Sequence, residues 1–171
     1  MNPNVIAICG ADEIMDLTIK KSVIDKCLRP EIRDENNRLI GKTGYGLTTQ
    51  QLIYALDNIK KPLMIFKGSH KNSLIVVTDI KDNINLKIVV AIELNQKEGF
   101  QEINKVTSTY GRNDFVSYFN RQVVNGNLLA INTKKVDDLL HSIEKKYLKK
   151  NTIINFDDSI AYTFANVNIK S

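Results

Sequence analysis

The sequence predicts a single α+β domain, with N-terminal helices packed on a central antiparallel β-sheet and further helices towards the C-terminus. Apolar residues recur at helical spacing near the N-terminus and again over residues 135–149. Between these segments lie short runs rich in β-branched residues, separated by polar turns. A length of 171 residues suits one domain with one hydrophobic core.

Two helices are predicted before the sheet. The first covers residues 20–28 and ends before Pro30, because proline disfavours helix in the residue that precedes it. Thr48 and Gln51 have the spacing of a capping box, which predicts a second helix over residues 49–59. The polar, glycine-containing stretch 31–46 is expected to form a long loop, and such loops often carry function.

Four runs in the middle of the chain predict a meander of antiparallel strands, with a tight turn at Asp82-Asn83 and a looser connection at residues 95–99. The runs are residues 63–66, 73–78, 87–94 and 102–109.

The remaining elements follow in the C-terminal third. Asp114 is expected to cap a third helix, which Asn125-Gly126 would end. A further strand and a fourth helix complete a core spanning residues 16–150, preceded by an extension at residues 1–15 and followed by a C-terminal hairpin or tail at residues 151–171. The predicted strand is residues 128–131, the helix residues 135–149, and the two arms of the hairpin residues 152–156 and 160–164.

Composition restricts the possible partners. The formal charge of +5 favours an anionic partner such as nucleic acid, but it is equally consistent with a plain soluble surface. Cys9 and Cys27 form neither a disulfide framework nor a zinc motif, which fits a reducing compartment. No apolar run approaches the roughly 20 residues that a membrane helix needs, so no membrane span is expected.

Several kinds of catalytic site are disfavoured. His70 and His141 lie in separate elements without neighbouring ligands, so no metal is expected. The glycines of residues 41–46 lack the preceding strand and the lysine of a P-loop, and no cofactor is expected. A serine–histidine–aspartate triad would need Ser69 or Ser108 beside a histidine, and no spacing in the sequence indicates this.

The densest group of potentially functional side chains is the run of residues 104–112. Hydroxyl groups of Thr107 and Ser108 could orient a phosphate, Tyr110 could stack on a base, and Arg112 could hold an oxyanion. Such groups suit phosphodiester cleavage without a metal. Alternatively, the hydroxyls simply suit a strand face and Tyr110 belongs to the core. The candidate substrate-binding residues are Lys67, Asn104, Thr107 and Arg112.

His70 is a candidate general base. It follows a strand and lies between Lys67 and Lys71, whose charges would favour the neutral imidazole that a base requires. A plain hairpin tip would have the same composition. His141 falls off the apolar stripe of its helix and is expected at the surface.

The chain resembles the C-terminal domain of phage MuF-type head proteins, a group allied to the barnase, EndoU, colicin and RelE-like nucleases. The resemblance runs over about residues 16–147 and is sharpest over residues 102–111. The motifs that carry it are Ser22-Val23-Ile24-Asp25-Lys26, Tyr45-Gly46-Leu47-Thr48, Lys61-Pro62-Leu63-Met64-Ile65-Phe66-Lys67, Ser73-Leu74-Ile75-Val76-Val77-Thr78, Ile92-Glu93-Leu94-Asn95 and Glu102-Ile103-Asn104-Lys105-Val106-Thr107-Ser108-Thr109-Tyr110-Gly111.

The resemblance implies a metal-independent endoribonuclease toxin domain that cleaves RNA, with tRNA as a candidate, by attack of the ribose 2′-hydroxyl. It implies action in the cytoplasm of a target or host bacterium after delivery by a phage particle or secretion system, with a cognate immunity protein as a candidate partner.

The resemblance also indicates site residues. Lys26 matches a lysine of the first helix, and Ser108 matches a serine one residue before a tyrosine-glycine pair. Tyr45 stands where the family often has histidine, and tyrosine is a poor base but a serviceable acid or stacking platform. Tyr45 replaces that base, His70 serves instead, or this member is inactive. The candidate catalytic residues are Lys26, Tyr45, His70, Ser108 and Tyr110.

Two other functions are considered. A non-catalytic module of a phage or mobile element could bind nucleic acid or a partner protein through its basic face. Thr107-Ser108-Thr109 is faintly similar to the hydroxyl triplet of ADP-ribosyltransferases, but the downstream glutamate pair of those enzymes is missing and Glu144 stands alone.

Overall fold

A computed structural model of the chain describes residues 17–41, 43–151, 153–156 and 167–170. It confirms the α+β class. The strands are β1 Leu17–Lys20, β2 Met64–Lys67, β3 Ser73–Lys81, β4 Lys87–Glu98, β5 Gln101–Gly111, β6 Leu128–Asn132, β7 Ile154–Phe156 and β8 Val167–Lys170. The helices are α1 Lys21–Leu28, α2 Thr49–Asn58, α3 Phe115–Val124, α4 Thr133–His141 and α5 Lys145–Leu148.

The described strands form one mixed sheet in the order β7-β6-β2-β3-β4-β5-β1-β8. Its centre, from β6 to β5, is antiparallel as predicted, whereas β1 pairs in parallel with β5 and β8, and β6 pairs in parallel with β7. The predicted extension at residues 1–15 and the second arm of the predicted terminal hairpin, residues 160–164, lie outside the described residues.

Helices cover both faces of the sheet. Side chains alternate between the faces along each strand. Ile65, Val76 and Val90 pack with α1 and α2 on one face. Phe66, Val77 and Val89 pack with α3, α4 and α5 on the other face. Burial on both faces explains why the middle strands are almost continuously apolar.

The predicted N-terminal helices are present within one residue of their expected ends. Thr48 and Gln51 form the reciprocal capping box that their spacing predicts. Asp114 precedes α3 as expected, but it adopts a left-handed conformation with φ of 49° and makes no side-chain capping bond. The prediction that its carboxylate caps α3 was therefore wrong.

The predicted helix over residues 135–149 is divided into α4 and α5. Glu144 is extended between them, with φ of −64° and ψ of 137°. Leu139, Ile143 and Tyr147 nevertheless pack against the same core. Apolar spacing thus identified the residues that face the sheet, but it did not show that the backbone between them is broken.

The connection predicted at residues 95–99 is mostly strand, because β4 continues to Glu98 and the turn lies at Gly99 and Phe100. Asn95 has a φ of 55°, and the β4–β5 register shifts between Glu93 and Gln96. Polar residues here stabilise an irregularity within the strand instead of ending it.

β1 pairs with only the N-terminal half of β5 along their shared edge. β1 pairs with β5 only from Asn104 to Val106, and the chain then turns into α1. The C-terminal half of β5 therefore lies beside the segment that follows α1. Gly111, at the end of β5, pairs with Ile88 close to the β3–β4 turn.

Candidate functional site

The loop after α1 folds back onto the C-terminal end of that helix. Consecutive N–H groups of residues 44–47 donate to carbonyl groups in and just beyond its last turn, at 2.9 to 3.1 Å. Carbonyl groups at this end of a helix lack partners within the helix. The pairs are Gly44 with Pro30, Tyr45 with Lys26, Gly46 with Arg29 and Leu47 with Cys27. The loop therefore caps α1 and fixes the position of Tyr45.

Gly44 makes this docking possible. A Cβ atom on Gly44 would lie 2.3 Å from the carbonyl oxygen of Lys26 and 2.5 Å from that of Arg29. Both contacts are with backbone atoms, which cannot move aside without displacing α1. Any larger residue at position 44 would separate the loop from the helix.

Tyr45 links the loop to β5 through both its ring and its hydroxyl. The hydroxyl of Ser108 donates to the phenol oxygen of Tyr45 at 3.1 Å. The rings of Tyr45 and Tyr110 lie 5.2 Å apart between centroids, and the Nζ atom of Lys26 lies 5.4 Å from the Tyr45 centroid. Ser108 and Tyr110 share one face of β5 because they are two residues apart. Four of the five candidate catalytic residues thus lie together.

Arg112 lies just beyond β5 and packs on an aromatic ring. Its Cζ atom is 4.1 Å from the centroid of Tyr118, and its backbone N–H donates to the carbonyl of Lys87 at 2.9 Å. Burial raises the pKa of Tyr118 to about 12, although the charge of Arg112 acts in the opposite direction. Tyr118 is therefore neutral at physiological pH and does not cancel the positive charge of Arg112.

Lys26, Tyr45, Tyr110 and Arg112 line one open cavity of about 600 Å³, whereas Ser108 and Tyr118 are not among its lining residues. Its cations are Lys26 and Arg112, its aromatic walls are Tyr45 and Tyr110, and exposed apolar residues stand at its mouth. The full lining is Lys26, Glu31, Leu39, Thr43, Gly44, Tyr45, Asp82, Ile84, Leu86, Tyr110, Gly111, Arg112 and Asn113.

Glu31 and Asp82 bring carboxylates to this cavity, and the sequence did not single them out as functional. The Oδ1 atom of Asp82 accepts from the N–H groups of Ile84 and Leu86, at 3.0 and 2.9 Å. A Cβ atom on Gly111 would lie 2.0 Å from its Oδ2 atom, so this oxygen is held against β5. Asp82 appears in the sequence only as a turn residue, because its approach to residues 110–112 depends on strand pairing.

Glu31 is exposed and accepts a hydrogen bond from Nε of Arg33 at 2.8 Å. No motif in the sequence marks Glu31. It reaches the cavity because the loop containing it is docked on α1.

The structure does not bring His70 or Lys67 to this cavity. They line a separate cavity of about 260 Å³ at the β2–β3 turn. Consecutive turns of an antiparallel meander lie at opposite ends of the sheet, and a nine-residue strand such as β3 spans roughly 30 Å. His70 is thus at the other end of the sheet from Tyr45.

Asn104 and Thr107 also lie outside the cavity lining. Asn104 is buried, and its Oδ1 atom accepts from the N–H of Asn95 at 3.0 Å, which holds the irregular part of β4. Thr107 is exposed at a register shift between β4 and β5, and its hydroxyl donates to the carbonyl of Ala91 at 3.3 Å. Of the triplet Thr107-Ser108-Thr109, Ser108 is the residue whose hydroxyl donates a hydrogen bond to Tyr45.

Within the described ranges, no group of three or more histidine, cysteine, aspartate or glutamate side chains is arranged to hold a metal ion. The same ranges contain no helix that is both long and apolar enough to cross a bilayer. His141, expected at the surface, is exposed at the end of α4.

Comparison with known proteins identifies the family. No curated protein and no solved structure gives a significant match to the chain. A family model described as the phage MuF-C-terminal domain matches residues 40–138, which is 99 of the 171 residues. This range includes Tyr45, Ser108, Tyr110 and Arg112, and it confirms the MuF part of the resemblance. The chain therefore belongs to the phage MuF C-terminal domain family.

Proposed function

We propose that this domain is a metal-independent endoribonuclease that cleaves RNA in the cavity between α1 and β5. The observation that carries the proposal is the 3.1 Å hydrogen bond from Ser108 to the phenol oxygen of Tyr45, a residue that lines the cavity together with Lys26 and Arg112. Hydroxyl groups beside two cations can bind a phosphodiester and stabilise the additional charge of its transition state.

The aromatic walls support a nucleic-acid substrate in particular. Tyr45 and Tyr110 form a paired aromatic surface, and Lys26 lies 5.4 Å from one of the two rings. Unpaired bases stack on such surfaces, while lysine and arginine bind the adjoining phosphates. Because only unpaired bases can stack on these rings, we expect cleavage in single-stranded regions, including tRNA loops.

Glu31 is assigned as the general base. The carboxylate of Asp82 is bonded to the β3–β4 turn through one oxygen and held against Gly111 through the other. Glu31 is the exposed carboxylate of the cavity, and its pairing with Arg33 is through the Oε1 atom. Glu31 takes the proton of the ribose 2′-hydroxyl, and the 2′-oxygen then attacks phosphorus. The bond from phosphorus to the 5′-oxygen breaks, which yields a 2′,3′-cyclic phosphate and a 5′-hydroxyl end.

Tyr45 is assigned as the general acid. Because Ser108 donates and the phenol oxygen accepts, the phenol proton of Tyr45 is available for transfer to the departing 5′-oxygen. The hydroxyl of Ser108 and the charge of Lys26 both stabilise the phenolate that forms. As a general acid, Tyr45 does not need to replace the histidine base that the family often has at this position.

The biological setting belongs to the same proposal. A ribonuclease of a phage-associated family would act as a toxin in the cytoplasm of a target or host bacterium, after delivery by a phage particle or secretion system. Its producer would need protection, which a cognate immunity protein covering the cavity would provide.

Incubation of the purified protein with total tRNA in EDTA tests the activity. We expect discrete fragments from the wild type and from Lys71→Gln, which alters an exposed lysine at the opposite end of the sheet. Ser108→Ala should cleave at least about tenfold more slowly. Intact tRNA at high protein concentration would contradict the proposal.

A non-catalytic nucleic-acid-binding module is the second candidate. The observation that favours it is the position of the two histidines, since His70 lies at the far end of the sheet and His141 is exposed on α4. The cavity therefore contains no imidazole. Salt-dependent binding of RNA without any cleavage would support this function instead of the first.

A further inference from the structure

A second cavity of about 390 Å³ adjoins the first. Leu86 and Arg112 line both cavities, so Arg112 stands in the wall between them. The other lining residues of the second cavity are Lys81, Asn85, Lys87, Phe115, Val116, Lys135, Val136, Asp138 and Leu139.

Two lysines of this second cavity repel each other and so lower the stability of the hairpin that carries them. Lys81 and Lys87 are directly paired across the β3–β4 hairpin, and like charges opposite one another destabilise a sheet. Lys135 of α4 is a third lysine and, with Arg112, makes four cationic residues in the lining, whereas Asp138 is its single acidic residue. A surface that gathers cations from a hairpin and a helix is suited to an anionic ligand.

An aromatic ring lies among these cations. The Nζ atom of Lys87 lies 5.7 Å from the ring centroid of Phe115, and the neighbouring Val116 is 58% exposed. A cation beside an aromatic ring, with apolar surface around them, is also the arrangement of Lys26 and Tyr45 in the first cavity. The two cavities thus offer the same chemistry on either side of Arg112.

We propose that the second cavity is a subsite for the nucleotide adjacent to the cleaved phosphodiester in single-stranded RNA. Lys81 and Lys87 bind the phosphate of that nucleotide, and Phe115 contacts its base. Arg112 lies between the two nucleotides. This inference rests on the proposed function and adds that the substrate must be longer than one nucleotide to bind fully.

Binding of short oligonucleotides of different length tests the subsite. Fluorescence anisotropy is measured with labelled 2′-fluoro RNA of one and four nucleotides, which lacks the attacking 2′-hydroxyl and cannot be cleaved. The protein is the full chain, either wild type or carrying Lys81→Gln with Lys87→Gln. The matched control carries Lys67→Gln with Lys71→Gln at the opposite end of the sheet. Circular dichroism verifies that each variant is folded.

In the wild type, we expect the tetranucleotide to bind about tenfold tighter than the mononucleotide, as one further stacked base would provide. The Lys81/Lys87 variant should lose most of this gain while binding the mononucleotide as the wild type does. Its salt dependence should fall by roughly 0.7 in the slope of log K against log salt for each phosphate contact removed. The control variant should retain both the gain and the slope.

Two results would overturn the inference while leaving the proposed function intact. The first is mononucleotide binding without any gain from added length, and the second is a full gain in the Lys81/Lys87 variant. If neither probe binds the wild type and tRNA stays intact, the subsite and the proposed function both fail.

Discussion

Tyr45 contributes to the cavity through two separable groups, its ring and its hydroxyl. The ring packs against Tyr110, whereas the hydroxyl meets Ser108. A phenylalanine at position 45 would keep the first contact and lose the second. The two contributions can therefore be measured independently.

We expect Tyr45→Phe to bind uncleavable RNA within about threefold of the wild type, because ring stacking is retained. Its cleavage rate should fall by about 10² to 10⁴, the usual range for loss of a general acid. Single-turnover cleavage and anisotropy measure the two quantities. Tyr54→Phe is the control, since Tyr54 is an exposed tyrosine on α2 that should affect neither. Equal losses of binding and cleavage would show that Tyr45 only holds the substrate.

Tyr118 gives the fold a dependence on alkaline pH. Its folded pKa is raised to about 12 by burial, whereas an unfolded tyrosine titrates near 10. The folded state therefore holds this proton more tightly, and the associated stability is complete below pH 10 and is lost as the pH rises through 12.

Relative to Tyr118→Phe, the wild type should lose roughly 2 kcal/mol of unfolding free energy between pH 9 and 12. Urea unfolding at successive pH values measures this difference, because the other titrating groups are common to both proteins. Parallel pH profiles for the two proteins would contradict the assignment.

At the scale of elements, the position of the site depends on how one loop caps one helix. Four N–H groups of residues 44–47 bond to the end of α1, and Gly44 lies too close to the carbonyls of Lys26 and Arg29 for any side chain. Gly41, in the same loop, has a φ of 62° but no atom near its missing Cβ. Substitution of Gly44 therefore tests the steric contact with α1, whereas substitution of Gly41 tests backbone strain alone.

Gly44→Ala should lower the unfolding free energy by about 2 kcal/mol or more and reduce RNA cleavage, since the loop must leave α1. Gly41→Ala should cost only about 1 kcal/mol, the penalty of a left-handed residue, and leave cleavage near the wild-type rate. Thermal unfolding and tRNA cleavage measure both effects. Equal activity in the two variants would contradict the role given to the docked loop.

The sequence predicts most elements because their signals are local. The capping box of Thr48, Pro30 after α1, and the β-branched runs each act over a few residues, and the corresponding elements are present. The break at Glu144 and the extension of β4 beyond Asn95 depend on contacts from other parts of the chain. Such contacts leave no periodic trace in the sequence.

At the scale of the molecule, the sheet decides which predicted residues meet. The sequence predicts one functional segment over residues 104–112, but only the end of this run lines the cavity, because β5 is long and β1 pairs with its first half. The lysines beside His70 favour a neutral imidazole, but the antiparallel topology places the β2–β3 turn at the opposite end of the sheet from Tyr45. The sequence does not indicate Glu31, because it reaches the cavity only through the docking of its loop on α1.

The chain's net charge of +5 is modest. For binding an anion, the positions of individual cations around the cavities matter more than the total charge. Lys26 and Arg112 line one cavity, and Lys81 and Lys87 line the next. Under the proposed function, these cations would contact the phosphates of a single RNA strand that crosses the β3–β4 end of the sheet, between the carboxylates of Glu31, Asp82 and Asp138. Duplex RNA hides its bases and could not reach Tyr45 and Tyr110 in this way.

The chemical ends of the RNA fragments distinguish 2′-hydroxyl attack from other routes of cleavage. A single-stranded RNA is incubated in EDTA with the wild type, Glu31→Gln, Arg112→Gln and the control Lys71→Gln, and the fragments are identified by mass spectrometry. We expect the wild type and the control to yield 2′,3′-cyclic phosphate and 5′-hydroxyl ends, with both cavity variants at least about 100-fold slower. Intact RNA with the wild type, or equal cleavage by the cavity variants, would contradict ribonuclease activity at this cavity.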